Sequence, residues 1–126
     1  MKIQNYDRER ATKLLPLLHS IASEIRERTT ATAHLQEEIH RLSATLAGRR
    51  TYRDRIRDLR EQLSKHEYGL RRVVHEIEEL GCTIEPADPL TIRIPGTTNR
   101  PHHAYTWRAG DTQIELAQIE VGERVA

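Results

Sequence analysis

The chain has 126 residues, of which 20 are Lys or Arg and 19 are Asp or Glu, for a formal net charge of +1 with neutral His; 37% are hydrophobic and 31% charged. That size fits one domain, no apolar run approaches the ~20 residues that span a bilayer, and the polar start from Met1 to Asp7 lacks the apolar region of a signal peptide, so a cytoplasmic protein without a membrane partner is expected. Cys82, the single cysteine, excludes an internal disulfide framework, a CxxC redox pair and a cysteine-rich zinc site, and the balanced charge argues against a nucleic-acid binder that is basic throughout.

In chain order, apolar residues first fall at Leu14, Leu18, Ile21 and Ile25, then at Leu35, Ile39, Leu42 and Leu46, in alternating steps of four and three. Arg28 and Thr32 fill the two missing steps. The rhythm resumes through Tyr52, Ile56, Leu59, Leu63, His66, Leu70, Val73, Ile77 and Leu80, which predicts two coiled-coil helices. Asp7 is placed to cap the first and Gly81 to end the second, with the reversal near 48–51, around Gly48, Arg49 and Arg50. The arms of this hairpin, over 7–81, would be about 50 Å long at 1.5 Å per residue. Pairing about the turn sets Leu35 opposite Leu63, Thr32 opposite His66 and Arg28 opposite Leu70. Arg28, Thr32 and His66 are therefore candidates for a polar seam that fixes register at some cost in stability. Residues 29–33 are small or β-branched and predict a weak or bent stretch of the first arm.

A two-helix hairpin has one seam and cannot build a thick core alone. Extra apolar groups at its base, Leu15, Leu17 and Val74, predict packing on the rest of the chain, whereas Ala31, Ser43, Ala44 and Thr45 flank the far seam with small groups. Close approach of another helix there predicts a homodimer, or docking of a protein partner whose identity the sequence does not carry.

After Gly81 the period shifts toward two. Leu90, Ile92 and Ile94 alternate with Thr91 and Arg93, and Ile114 and Leu116 with Gln113 and Glu115, which predicts a small antiparallel sheet over 82–126. Ala109, Gly110 and Asp111 should join Tyr105–Arg108 to Thr112–Leu116 as a hairpin, a slip between Leu116 and Ile119 suggests a bulge, and Trp107, the sole tryptophan, is an anchor for packing. The expected architecture is α+β, a single domain over 1–126: a long antiparallel helical hairpin with a small C-terminal antiparallel sheet packed at its base.

Three segments resemble a known family. Tyr6, Asp7, Glu9, Ala11, Leu14, Leu15 and Pro16 match an opening of aromatic, cap, Glu, Ala and Leu-Leu-Pro; Gly81, Ile84, Ile92 and Pro95 follow a Gly-Val-x-Val segment and strand; Trp107, Arg108 and Gly110 match a Trp-Arg-x-Gly turn. In these the chain is similar to the bacterial domain of unknown function 2203 (DUF2203). The resemblance implies a small cytosolic domain of long helices plus strands, and it implies no activity, cofactor or catalytic residue. The chain has Ala117 and Gln118 where the family tends to have Trp-His.

The residues themselves nominate no catalytic group, cofactor or metal. Glu37 and His40 have ExxH spacing, but the heptad count sets them on the solvent side. His102 and His103 would need ligand partners from elsewhere, and Cys82 follows a helix C-terminus, whose dipole disfavours thiolate. There is no GxSxG nucleophile turn and no Gly-rich phosphate loop. A small-ligand or enzymatic role would require a polar pocket around Tyr105, Trp107 and Arg108.

Charge placement is the most pointed signal. Residues 1–48 hold 7 basic and 6 acidic groups, 49–75 hold 9 and 4, and 76–126 hold 4 and 9. Arg49, Arg50, Arg53 and Arg57 are thus candidate contacts to nucleic-acid phosphates at the hairpin tip, with Arg55 and Arg60 nearby. Tyr52 is the lone aromatic there for base stacking. The leading expectation is a non-enzymatic interaction or scaffold domain, with nucleic-acid binding second and a ligand-binding or enzymatic role third.

Overall fold

A computed structural model describes residues 5–45, 50–97 and 104–116. The chain is α+β, with α1 (Arg8–Thr12), α2 (Leu15–Thr45) and α3 (Arg50–Glu79) followed by β1 (Thr83–Glu85), β2 (Thr91–Ile94), β3 (Tyr105–Arg108) and β4 (Glu115–Leu116). It forms two compact units, one of Met1–Ala22 with Val74–Ala126 and one of Ser23–Val73. The division does not fall at Gly81, where the sequence period changes. The first unit takes the opening of α2 and the end of α3 together with the sheet.

The first arm is not one helix from Asp7. The Asp7 carboxylate caps α1 by accepting from the Arg10 N–H at 2.8 Å, and the helix stops after Thr12, with turn residues Lys13 and Leu14 before α2 begins. Pro16 is the physical reason. It has no N–H to give the Thr12 carbonyl, and its ring would collide there, whereas the first turn of a new helix accommodates it. The Leu18 N–H then donates to the Leu14 carbonyl at 2.9 Å. Through residues 29–33, where weakness is expected, α2 runs on unbroken.

α3 ends in a Schellman motif: Gly81, at φ 82°, donates to the Glu78 carbonyl at 2.9 Å, and Cys82 to that of Ile77 at 3.1 Å. Ile77 and Cys82 are both buried. The sheet has order β1-β2-β3-β4, all neighbours antiparallel. Ile84, Ile92 and Trp107 share one row, and Ile94, Tyr105 and Leu116 the row two residues along, on the same face. The β3–β4 connection turns at Gly110, φ 102°. There the Asp111 N–H donates to the Arg108 carbonyl at 2.9 Å and the Asp111 carboxylate accepts from the Arg108 N–H at 3.2 Å. β4 is only two residues long, shorter than the expected 112–116, and Ile114 just before it is buried.

The core of the first unit is Leu18, Ile21, Ile77, Ile92, Ile94 and Trp107. The Trp107 indole stands edge-on to the His19 ring at 5.1 Å and gives its Nε1–H to the Asp111 carbonyl at 3.0 Å, so it anchors the sheet on α2. Tyr6 ties the start of the chain to two elements, donating its N–H to the Pro95 carbonyl at 3.2 Å and its hydroxyl to that of Leu80 at 3.0 Å. Of the reversal expected near 48–51, residues 48 and 49 lie outside the described residues, whereas 50 and 51 already belong to α3; the loop histidines His102 and His103 and the slip between Leu116 and Ile119 also lie outside the described residues.

Candidate functional site

Within Ser23–Val73 the seam positions form as the heptads require, but most remain partly open. Leu59 and Val73 are buried side chains, whereas Ile25, Leu35, Ile39, Leu42, Ile56, Leu63 and Leu70 are only half-buried. Two helices in contact cover each seam residue on one side, and a third surface is needed to complete the burial.

The polar seam is arranged differently from the pairing inferred from numbering. Arg28 does not simply face Leu70. Its Nε donates to the Glu24 carboxylate at 2.9 Å on its own helix, and its Nη1 approaches His66 Nδ1 at 3.4 Å across the seam. An arginine only donates, so in this contact His66 Nδ1 is the acceptor. The guanidinium lies against Gly69, where an added Cβ would fall on its Cζ and Nε. Thr32 makes no use of His66; its hydroxyl donates to the Thr29 carbonyl of the same helix at 2.8 Å. Gly69 was not among the expected seam residues. The signal for it is a glycine inside a strong helical pattern, one residue from Leu70 and three from His66, which costs about 1 kcal/mol relative to Ala unless it makes room for something.

The arginines separate by helical face. Arg55 pairs with Glu38 across the two arms at 3.2 Å, and Arg57 lies 3.8 Å from Asp54 one turn away. Arg53, Arg57 and Arg60, all exposed, border an open groove of about 770 Å³ along α3, with Ile56, Glu61, Ser64 and Lys65. Among the described residues Arg53, Arg60 and Lys65 make no ion pair. Arg49 lies outside the described residues, and Arg50 contributes the first residue of α3.

Among the described residues no three His, Cys, Asp or Glu side chains gather as a metal site would need. Glu37 and His40 are exposed, and His75 pairs with Glu79 at 3.0 Å on the surface of α3. Cys82 is buried, and burial pushes its thiol up to about 12, so it stays protonated and inert at neutral pH. Tyr105 lies 5.6 Å beneath the Arg8 guanidinium and Arg108 is exposed. No helix among the described residues is long and apolar enough to cross a membrane.

A small antiparallel sheet anchored by one tryptophan, with a pair of long helices whose seam carries Arg28 and His66, defines an α+β helical-hairpin domain. The family model described as "Uncharacterized conserved protein (DUF2203)" matches residues 4–120, and the chain belongs to that family. No curated protein and no solved structure matches it.

Proposed function

We propose that this DUF2203 chain is a non-enzymatic interaction module of the cytoplasm that works as a homodimer, with the helical segment Ser23–Val73 as its interface. The observation that supports this reading is the half-exposure of the seam from Ile25 to Leu70. Leucine and isoleucine left partly wet over that length are stabilised by a second pair of helices, as in a four-helix bundle. The exposed Ser43 and Ala44 beside the seam let a partner backbone approach closely.

Light scattering after size exclusion tests it. The expected mass is that of a dimer at both low and high salt, since apolar burial is not screened by ions. Ala44→Glu places a charge on a residue already exposed in the single chain, so the fold is retained while the mass falls to that of a monomer. A wild-type monomer at all concentrations, or a dimer indifferent to Ala44→Glu together with Ala31→Glu, would overturn the proposal.

A further inference from the structure

We infer that the groove on α3 is a binding site for a single-stranded nucleic-acid backbone, held by Arg53, Arg57, Arg60 and Lys65. Four cations and one acid, Glu61, line it. Two other arginines of Ser23–Val73 are paired within the chain, Arg28 with Glu24 and Arg55 with Glu38. In the groove Arg57 has only a loose contact to Asp54, and among the described residues the other three cations make no ion pair, with Glu61 the one acid beside them. Unneutralised cations along one stripe are the footprint of a polyanion, whose bound counterions are released on contact.

Spacing selects the kind of polyanion. From residue 53 to residue 65 the helix rises about 18 Å, so the four cations recur about every 6 Å. Successive phosphates of one strand stand farther apart than the ~3.4 Å rise along a duplex axis, because the strand winds about that axis, so a row at this spacing fits the backbone of one strand. Arginine forks take phosphate oxygens in pairs, their planes and the Ile56 side chain offer surfaces to bases or ribose, and the groove is open along its length. A second copy of the chain is a poor occupant, because a two-fold contact would set the same four cations face to face.

The experiment is fluorescence anisotropy of a labelled oligouridine with the full chain across a salt series. Binding is expected at low salt. The logarithm of the association constant should fall with that of salt at a slope of roughly −2 to −3, the value for three to four cations on a single strand. The triple change Arg53→Glu, Arg57→Glu, Arg60→Glu should lower affinity by roughly a hundredfold. Arg53→Gln with Arg60→Gln, too mild to threaten folding, should lower it by about tenfold with a shallower slope. Arg55→Glu makes the same charge change on the other face and should stay within about twofold of wild type. Absence of binding at low salt, a slope near zero, or an Arg55→Glu loss equal to that of the triple variant would each overturn the inference. So would displacement of the probe by poly-glutamate more readily than by unlabelled oligouridine, which would assign the groove to an acidic protein segment. The affinity and its salt slope come from the midpoint of the titration rather than from the size of the particle, so the site and the dimer can fail separately.

Discussion

The same heptad spacing produces two kinds of interior. In the first unit, which includes the sheet, Leu18, Ile77, Ile92, Ile94 and Trp107 are all sealed from water. In Ser23–Val73, which has no sheet, most of the corresponding leucines remain partly exposed. Periodicity therefore specifies which residues point inward, and the layer laid over them decides whether inward means dry. The difference also sorts the polar groups: the dry unit spends its hydrogen bonds on caps and turns, at Asp7, Gly81 and Asp111, while the wetter one admits Arg28 and His66 to the seam itself.

The sharpest test of that contrast removes bulk from each interior. Trp107→Ala should cost about 3–5 kcal/mol, since it empties a sealed site and orphans its contacts to His19 and Asp111. Leu35→Ala, at a half-covered position, should cost about 1–2 kcal/mol. Urea denaturation followed by circular dichroism measures both, and equal penalties would break the comparison.

Alkali should act on one unit only. The buried Cys82 thiol is held at about 12 against an ordinary value of 9.0, so the folded state keeps a proton that the unfolded chain releases. The stabilisation is present in full below pH 9 and is lost at about 1.4 kcal/mol per pH unit as pH rises from there toward 12. Tyr6, raised from 10.0 chiefly by burial and then by the nearness of Cys82, with Arg10 opposing, adds to the alkaline loss. Cys82→Ala should flatten the slope, and amide exchange should show the loss in the first unit but not in Ser23–Val73.

Smaller effects probe the helix ends and the polar seam. Gly81→Ala forces a side chain into the left-handed region and should cost about 1–2 kcal/mol, read as a shift in the urea midpoint. Gly69→Ala alone should gain less than the roughly 1 kcal/mol of helix propensity it offers, because the new methyl displaces the Arg28 guanidinium. In Arg28→Leu that obstacle is gone and the same glycine change should recover the full gain. Additive effects in this double-mutant cycle would remove Gly69 as the seat of Arg28.

Much of this was legible in the sequence where local chemistry decides. The heptads fix the inward faces of α2 and α3, Asp7 and Gly81 mark a cap and a stop, and the strands at Thr91–Ile94 and Tyr105–Arg108 follow from alternation. Long side chains and faces were harder to read. Numbering pairs Cα positions, but Arg28 reaches across to His66 and needs Gly69 beneath it, which a pairing rule cannot contain. Likewise Arg53, Arg55 and Arg57 look like one cluster along the chain, yet 100° per residue sends Arg55 to Glu38 and leaves the others with Arg60 and Lys65. The heptad rhythm also runs straight through Pro16, so the break it makes was missed: its lack of an N–H for the Thr12 carbonyl divides α1 from α2.

Trp107 has one more consequence, a spectroscopic one. It is the chain's sole tryptophan and is wholly buried in the first unit, while Ser23–Val73 carries Tyr52 and Tyr68 and no indole. Indole emission moves to longer wavelength when water reaches the ring, and tyrosine emission lies well to its blue. Tyrosines stand in both units, Tyr6 and Tyr105 in the first, so the indole alone is specific to one unit, and the opening of the first unit can be followed by its colour without adding a dye.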